Sequence, residues 1–268
     1  MATDNPSPLF IVGSPRSGTS ILVMALRAAG YRGFNEGNFF GLLAHFDGIV
    51  DRYFKTFWTD DPFVMMSRID REEFKISIAE LFKRVVDREN PVAPWLDKSG
   101  NPDVISMIPV LLRLWPSACF IFAKRRGIEN IVSRLKKFPS NDFDYHCRDW
   151  AANMAAWRAI KGEVPDLRYL EVDQQSLIQT PVAAAGQIAA FLNMSAPQQA
   201  RLVSAFRKER PQQTSAGTTE RVMTLQSTGW PPQRIEQFKR ICGPEMEQFE
   251  YTTDETYKRS AVEQSAVA

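Results

Sequence analysis

The chain is 268 residues long, enough for one large α/β domain, and its 33 basic and 31 acidic residues leave a formal net charge of only +2. That balance excludes a nucleic-acid binder that relies on a broad basic field, and two scattered histidines and three scattered cysteines argue against a His/Cys zinc site and a disulfide framework. No apolar run approaches the roughly 20 residues of a membrane span, and the Met1–Pro6 segment has neither the basic nor the apolar region of a secretory signal. The expectation is a soluble cytoplasmic protein.

In chain order, residues 1–7 are expected to be flexible. Leu9-Phe10-Ile11-Val12 is a short continuous apolar run, as expected of a strand buried on both faces. It ends in the turn-rich Gly13-Ser14-Pro15-Arg16-Ser17-Gly18, and a helix should begin near Thr19 with Leu22, Ala25, Leu26 and Ala29 on one side. Helical spacing returns between Arg71 and Asn90, where Phe74, Ile78, Leu81, Phe82 and Val85 share a face and Pro91 supplies the stop. Ala118–Ala123 reads as a second buried strand with a basic turn behind it. Ile128, Ile131, Val132 and Leu135 then repeat at i, i+3, i+4, i+7. A helix over Arg148–Lys161, a strand over Arg168–Val172 and a helix over Pro181–Leu192 complete the reading. Strands alternating with helices imply a single α/β domain: a mostly parallel central sheet flanked by helices, over residues 8–253. The polar tail over 254–268 is expected to be mobile.

The strongest local signal is the passage from buried strand through a glycine-bearing loop into a helix. Such a loop turns backbone N–H groups inward and the helix N-terminus adds partial positive charge, which together stabilise a phosphate. The spacing Gly13…Gly18-Thr19-Ser20 imitates the nucleotide-triphosphate loop, but Thr19 stands where that motif has lysine, and the cation is Arg16 inside the loop. The missing lysine weighs against kinase and ATPase readings.

Pro15-Arg16-Ser17-Gly18-Thr19 resembles the 5′-phosphosulfate loop of sulfotransferases that use 3′-phosphoadenosine 5′-phosphosulfate (PAPS). The run Phe120–Gly127 through Ser133-Arg134-Leu135 is similar to that family's 3′-phosphate motif, an arginine at a strand end and a serine eight residues on, matched here by Arg125 and Ser133. A strand-end guanidinium and a hydroxyl in the next helix can converge on one phosphate. The Asp-Pro that commonly follows the arginine is Arg126-Gly127 here, which leaves the register between Arg125 and Arg126 open. Trp95-Leu96-Asp97-Lys98-Ser99 resembles the family's acidic-Lys-Ser/Thr-Pro element ahead of a long helix, with Gly100 for the proline. The late Tyr-Glu-Asp reads Gln174-Gln175-Ser176, so no charge is inherited there. Thr228-Gly229-Trp230 and Cys242-Gly243-Pro244 resemble the segment that closes over the nucleotide.

The resemblance implies a P-loop nucleotide-hydrolase-like fold, PAPS as co-substrate, adenosine 3′,5′-bisphosphate (PAP) as product and no metal. It implies that Pro15, Arg16, Ser17, Gly18, Thr19 and Ser20 hold the 5′-phosphate and that Arg125 and Ser133 hold the 3′-phosphate. Arg221 would add a second contact there and Trp230 would cover the adenine. Glu36, on the glycine-flanked turn Gly33–Gly37, is the first choice of general base, since a glutamate in the corresponding segment is the base in some members; His45 is the second, since others use histidine. Arg16 would oppose charge on the departing phosphate and Lys98 would contact the sulfuryl group or act as acid. The acceptor is expected to be a small molecule or carbohydrate, not nucleic acid. The dense aromatics between Asn38 and Met66 read either as core faces or as an apolar acceptor wall. A small-molecule kinase and a non-catalytic nucleotide binder are the competing readings.

Overall fold

The computed structural model describes residues 8–90, 92, 94–208 and 222–259. In chain order the elements are β1 (Pro8–Val12), α1 (Thr19–Ala28), β2 (Arg32–Phe34), α2 (Phe39–Phe57), α3 (Arg71–Glu89), β3 (Trp95–Ser99), α4 (Pro102–Ser106), α5 (Ile108–Leu114) and β4 (Cys119–Lys124). They continue as α6 (Gly127–Lys137), α7 (Phe143–Ile160), β5 (Tyr169–Asp173), α8 (Gln174–Gln179), α9 (Pro181–Phe191), α10 (Ala196–Arg207) and α11 (Pro232–Gln248).

The five strands pair in the order β2-β3-β1-β4-β5, all in parallel. Alternation along each strand divides the core into two layers. Phe10, Val12, Trp95, Phe120 and Phe122 face the larger layer with α2 to α7 and α11, while Leu9, Ile11, Leu96, Ile121 and Ala123 face α1, α9 and α10. From central β1 the chain runs to β2 and β3 on one side and then to β4 and β5 on the other. The β1/β4 border is therefore the switch point, where open parallel sheets bind ligands beyond their strand ends.

The expected strands and helices over residues 8–28, 71–89, 119–137 and 169–191 are present within a residue or two of their boundaries. Others depart from expectation. Trp95–Ser99 is an internal strand, buried at every position, and the chain after it is not one long helix: α4 and α5 break at Met107, with Pro109 in the first turn of α5. α7 begins five residues earlier than Arg148, because Asp142 accepts from Tyr145 N–H at 2.6 Å and Phe143, Cys147, Trp150, Met154 and Trp157 form one buried stripe. The chain after residue 253, expected to be mobile, packs onto the domain as far as Arg259. Tyr257 there is 5% exposed, and its hydroxyl donates to Asp173 Oδ1 at 2.8 Å.

Candidate active site

The loop between β1 and α1 is held by its glycines and by α6. Gly13 has φ 128°, and a Cβ there would lie 2.2 Å from the carbonyl oxygen of Ala123, so only glycine lets the end of β1 pass β4. Gly18 (φ 88°) caps α1, and Arg16 itself adopts a left-handed φ of 72°, a conformation that costs a non-glycine residue energy and marks a constrained site. Asn130 donates to the Pro15 carbonyl and to Ser17 Oγ, both at 3.0 Å, and Arg134 donates to Ser14 Oγ at 2.9 Å while pairing with Asp149. The buried hydroxyls of Ser14 and Ser17 thus point back into α6, and the first turn of α1, with Thr19 and Ser20, forms the loop's other wall. The opening amides of that turn lack intrahelical partners by construction, which suits them to phosphate oxygens.

Arg16, Arg125 and Ser133 converge on this loop. Arg16 Nε donates to Ser133 Oγ at 3.0 Å, and Arg125 Nη1 donates to the Arg16 carbonyl at 3.0 Å. Burial pushes the Arg125 guanidinium down to about 10, with Arg16 adding to the shift against the opposing effects of Tyr257, Glu129 and Asp173. Arg16 is lowered too, first by burial and then by Arg134. Both remain cations at neutral pH, crowded and partly stripped of water, a condition that a bound polyanion relieves.

Arg125 and Arg126 take different partners. Arg126, with no exposed surface, turns away from the loop to pair with Glu129 and to donate to the carbonyls of Met223, Thr252 and Asp254, the last at 2.7 Å. Glu129 in turn accepts from Met223 N–H at 3.0 Å. Arg126 therefore anchors the C-terminal segment, and Arg125 is the residue that faces the loop.

Glu36 and Lys98 meet as an ion pair at the C-terminal edge of the sheet, one strand from the β1–α1 loop. Lys98 extends from β3, next to β1; Gly100 just beyond it lies so close to Gly13 that a Cβ would stand 3.1 Å from the Gly13 carbonyl oxygen. Glu36 follows β2 on a turn that crosses the end of β3. Gly37 N–H donates to the Lys98 carbonyl at 3.3 Å, and a Cβ on Gly37 would fall 1.6 Å from Asp97 Oδ1. The Glu36 side chain is 62% exposed and that of Lys98 10%, so a sheltered ammonium holds a carboxylate that remains open to solvent. Beneath them Asp97, 3% exposed, accepts from Ser99 Oγ at 2.9 Å. Burial pushes its carboxyl up to about 6, against the lowering by Ser99 and Lys98 and with the help of Glu36.

Other expected site residues are not part of this cluster. His45 lies on the exposed face of α2, and no contact joins it to Lys98 or Glu36 among the described residues. Trp230 packs edge-on to Phe143 with ring centres 5.0 Å apart, and also against Phe238, within the α7/α11 core. Arg221 lies outside the described residues. The aromatics between 38 and 66 divide: Phe40 and Phe54 are buried, while Phe46, Tyr53, Phe57, Trp58 and Phe63 are exposed, so neither a core face nor an enclosed acceptor wall accounts for all of them.

Sequence reasoning missed Asn130 and Arg134, whose one signal was a pair of polar residues four apart on the inner side of an apolar helix stripe. It also missed Asp173. Charge is present in that region one residue before the glutamines: Asp173 accepts from Tyr251 at 2.7 Å and from Tyr257, and it caps α8 through Gln175 N–H at 3.0 Å.

A family model described as the sulfotransferase family matches residues 8–198. The fold is shared with the sulfotransferase STF9 from Mycobacterium avium (TM-score 0.56, 14% identity, 95% of this chain and 79% of that one). It is also shared with the sulfotransferase domain of the Synechococcus PCC 7002 olefin synthase (TM-score 0.53, 16% identity, 95% and 98%). Mouse sulfotransferase SULT7A1, whose structure is a complex with PAP, is similar over 90% of this chain and 85% of its own (TM-score 0.53, 13% identity). Comparison with curated proteins finds no significant sequence match. The matched segment spans the phosphate loop, the Glu36–Lys98 pair and the Arg125–Ser133 element, and by that match the chain belongs to the sulfotransferase family.

Proposed function

We propose that this protein transfers the sulfuryl group of PAPS to a hydroxyl or amine of an acceptor, with Glu36 as general base. The observation that carries the reading is the convergence of Arg16, Arg125 and Ser133 on a glycine-bearing loop, with the Glu36–Lys98 pair one strand away. The residues fit such a donor: a helix N-terminus, the buried Arg125 guanidinium and the half-buried Arg16 guanidinium offer sites for two phosphates, and the fold neighbour SULT7A1 is complexed with PAP.

In this reading Arg125 and Ser133 hold the 3′-phosphate, and the amides of residues 17–20, with the hydroxyls of Thr19 and Ser20, hold the 5′-phosphate, while the Ser17 hydroxyl stays turned into α6. Glu36 takes the acceptor's proton as the acceptor oxygen or nitrogen bonds to sulfur. Arg16 opposes the charge that grows on the bridging oxygen as its bond to sulfur breaks, so the products are the sulfated acceptor and PAP. Lys98 orients Glu36 through their ion pair until the acceptor arrives, and then lies beside the sulfuryl oxygens. Isothermal titration tests the donor half: PAP should bind tightly and ATP should not, and the reverse order would sink the reading. Screening hydroxyl and amine acceptors with labelled PAPS tests the transfer.

A further inference from the structure

We propose that α2 and the loop after it form a docking surface for a lipid bilayer. Leu42, Phe46, Ile49, Tyr53 and Phe57 are spaced 4, 3, 4 and 4 residues apart, so they lie within one narrow arc of α2, and each is 39% to 54% exposed. The stripe runs on into the loop, where Trp58, Phe63 and Met65 are 56%, 92% and 75% exposed. Together they present on the order of 1,000 Å² of largely apolar surface, beyond the few hundred Å² that a soluble monomer commonly leaves uncovered.

The loop is built rather than slack. Asp61 Oδ1 accepts from Phe63 N–H at 2.9 Å, Val64 N–H donates to the Asp61 carbonyl at 3.0 Å, and Arg68 Nε holds the Pro62 carbonyl at 2.8 Å. Phe63 is thus fixed in water by its own turn, at a continuing cost that a covering phase removes.

Shape and side-chain type favour a bilayer over a second protein. A phenyl ring 92% exposed on a loop tip is a protrusion, which fluid hydrocarbon accommodates without a matching hollow. Tyr53 and Trp58 carry the polar-tipped rings suited to the headgroup boundary. The acids of α2, Asp47 and Asp51, pair with Lys75, and exposed Arg52 and Lys55 balance the exposed loop carboxylates Asp60 and Asp61, so the face carries no net charge of either sign to set against a lipid surface. Among the described residues no helix is long and apolar enough to cross a membrane, so α2 would lie in the interface. Its first residue follows Glu36 by three positions, which would set the Glu36–Lys98 pair near headgroup level. That last consequence rests on the reading of Glu36; the docking does not.

The test uses the full chain and vesicles of phosphatidylcholine with a minor fraction of phosphatidylglycerol. The protein should float with the vesicles, and its tryptophan emission should shift to the blue, because Trp58 is exposed whereas Trp95, Trp115, Trp150 and Trp157 are buried. Trp58→Phe should remove the shift while flotation persists. The double variant Phe63→Ser/Met65→Ser should lower partitioning on the order of a hundred-fold with unchanged circular dichroism, since both side chains are exposed. Wild-type protein that stays off the vesicles, or a double variant that floats equally well, overturns the proposal. So does a dimer in sedimentation equilibrium that the double variant dissociates without any vesicle binding, which would assign the face to a second copy. Because neither PAP nor turnover enters the assay, its failure is separate from failure of the sulfuryl-transfer reading.

Discussion

Arg16 and Ser133, 117 positions apart in the chain, are joined by a 3.0 Å hydrogen bond from the guanidinium Nε to the hydroxyl. The bond ties the loop after β1 to α6, and Arg125 closes the same corner through the Arg16 carbonyl. Positive charge is therefore gathered at the switch point before any anion arrives, with Asn130 and Arg134 fixing the loop from behind. If the proposed function holds, a phosphate bound there would require little rearrangement.

Arg125→Ala should weaken PAP by ten- to a hundred-fold, as expected for a lost hydrogen bond to a charged group, while adenosine 5′-phosphate loses little. Ser133→Ala should act in the same direction with a smaller factor. Titration calorimetry with both ligands decides: equal weakening of the two would remove the 3′-phosphate from Arg125.

Glu36→Gln should leave PAP affinity unchanged and lower turnover by about 10² to 10⁴-fold, the range for removal of a general base. Glutamine keeps the size of the side chain and still accepts from Lys98. Once an acceptor is in hand, steady-state rates with labelled PAPS measure the effect; a variant with wild-type kcat would move the base elsewhere.

Arg126→Ala should cost about 3–5 kcal/mol of stability, since it leaves Glu129 buried without its cation and strips a donor from the Met223, Thr252 and Asp254 carbonyls. Tyr257→Phe, which removes one donor to Asp173, should cost about 1 kcal/mol. Urea unfolding reads both. A loss below 1 kcal/mol for Arg126→Ala would mean that the C-terminal segment is not anchored there.

The parts of this site that were legible in the sequence are those encoded locally. Leu9–Val12 and Ala118–Ala123 are continuous apolar runs because both faces of β1 and β4 are covered, and the residues after each run bring Arg16 and Arg125 together. β3 was illegible as a strand because Asp97 and Lys98 interrupt its apolar run; they are buried because they lie under the Glu36 turn at the strand's C-terminal end. The Asp173 cluster joins residues 78 and 84 positions apart, so no local pattern carries it. α2 was obscured in another way, since its aromatics populate both the buried and the exposed side and blur the period on which a helix reading depends.

Asp97, beneath the Glu36–Lys98 pair, makes the stability of the fold depend on pH. Its carboxyl is raised from an ordinary 3.8 to about 6, chiefly by burial, so between roughly pH 4 and 6 the folded chain holds a proton that the unfolded chain has released. Stability contributed by this group therefore falls as pH rises through that window and stays low above it. The ionised form costs the fold on the order of 3 kcal/mol. Asp97→Asn removes the charge and keeps an oxygen to accept from Ser99, so the variant should melt higher than wild type at pH 8, by about 5–10 °C for a domain of this size. The difference should shrink as pH is lowered towards 4.5, where wild-type Asp97 is protonated in the folded state. Melting both proteins across that range by circular dichroism checks the sign: a gap that widens at low pH would mean that Asp97 is stabilised as a carboxylate, held by Lys98 more strongly than burial opposes it.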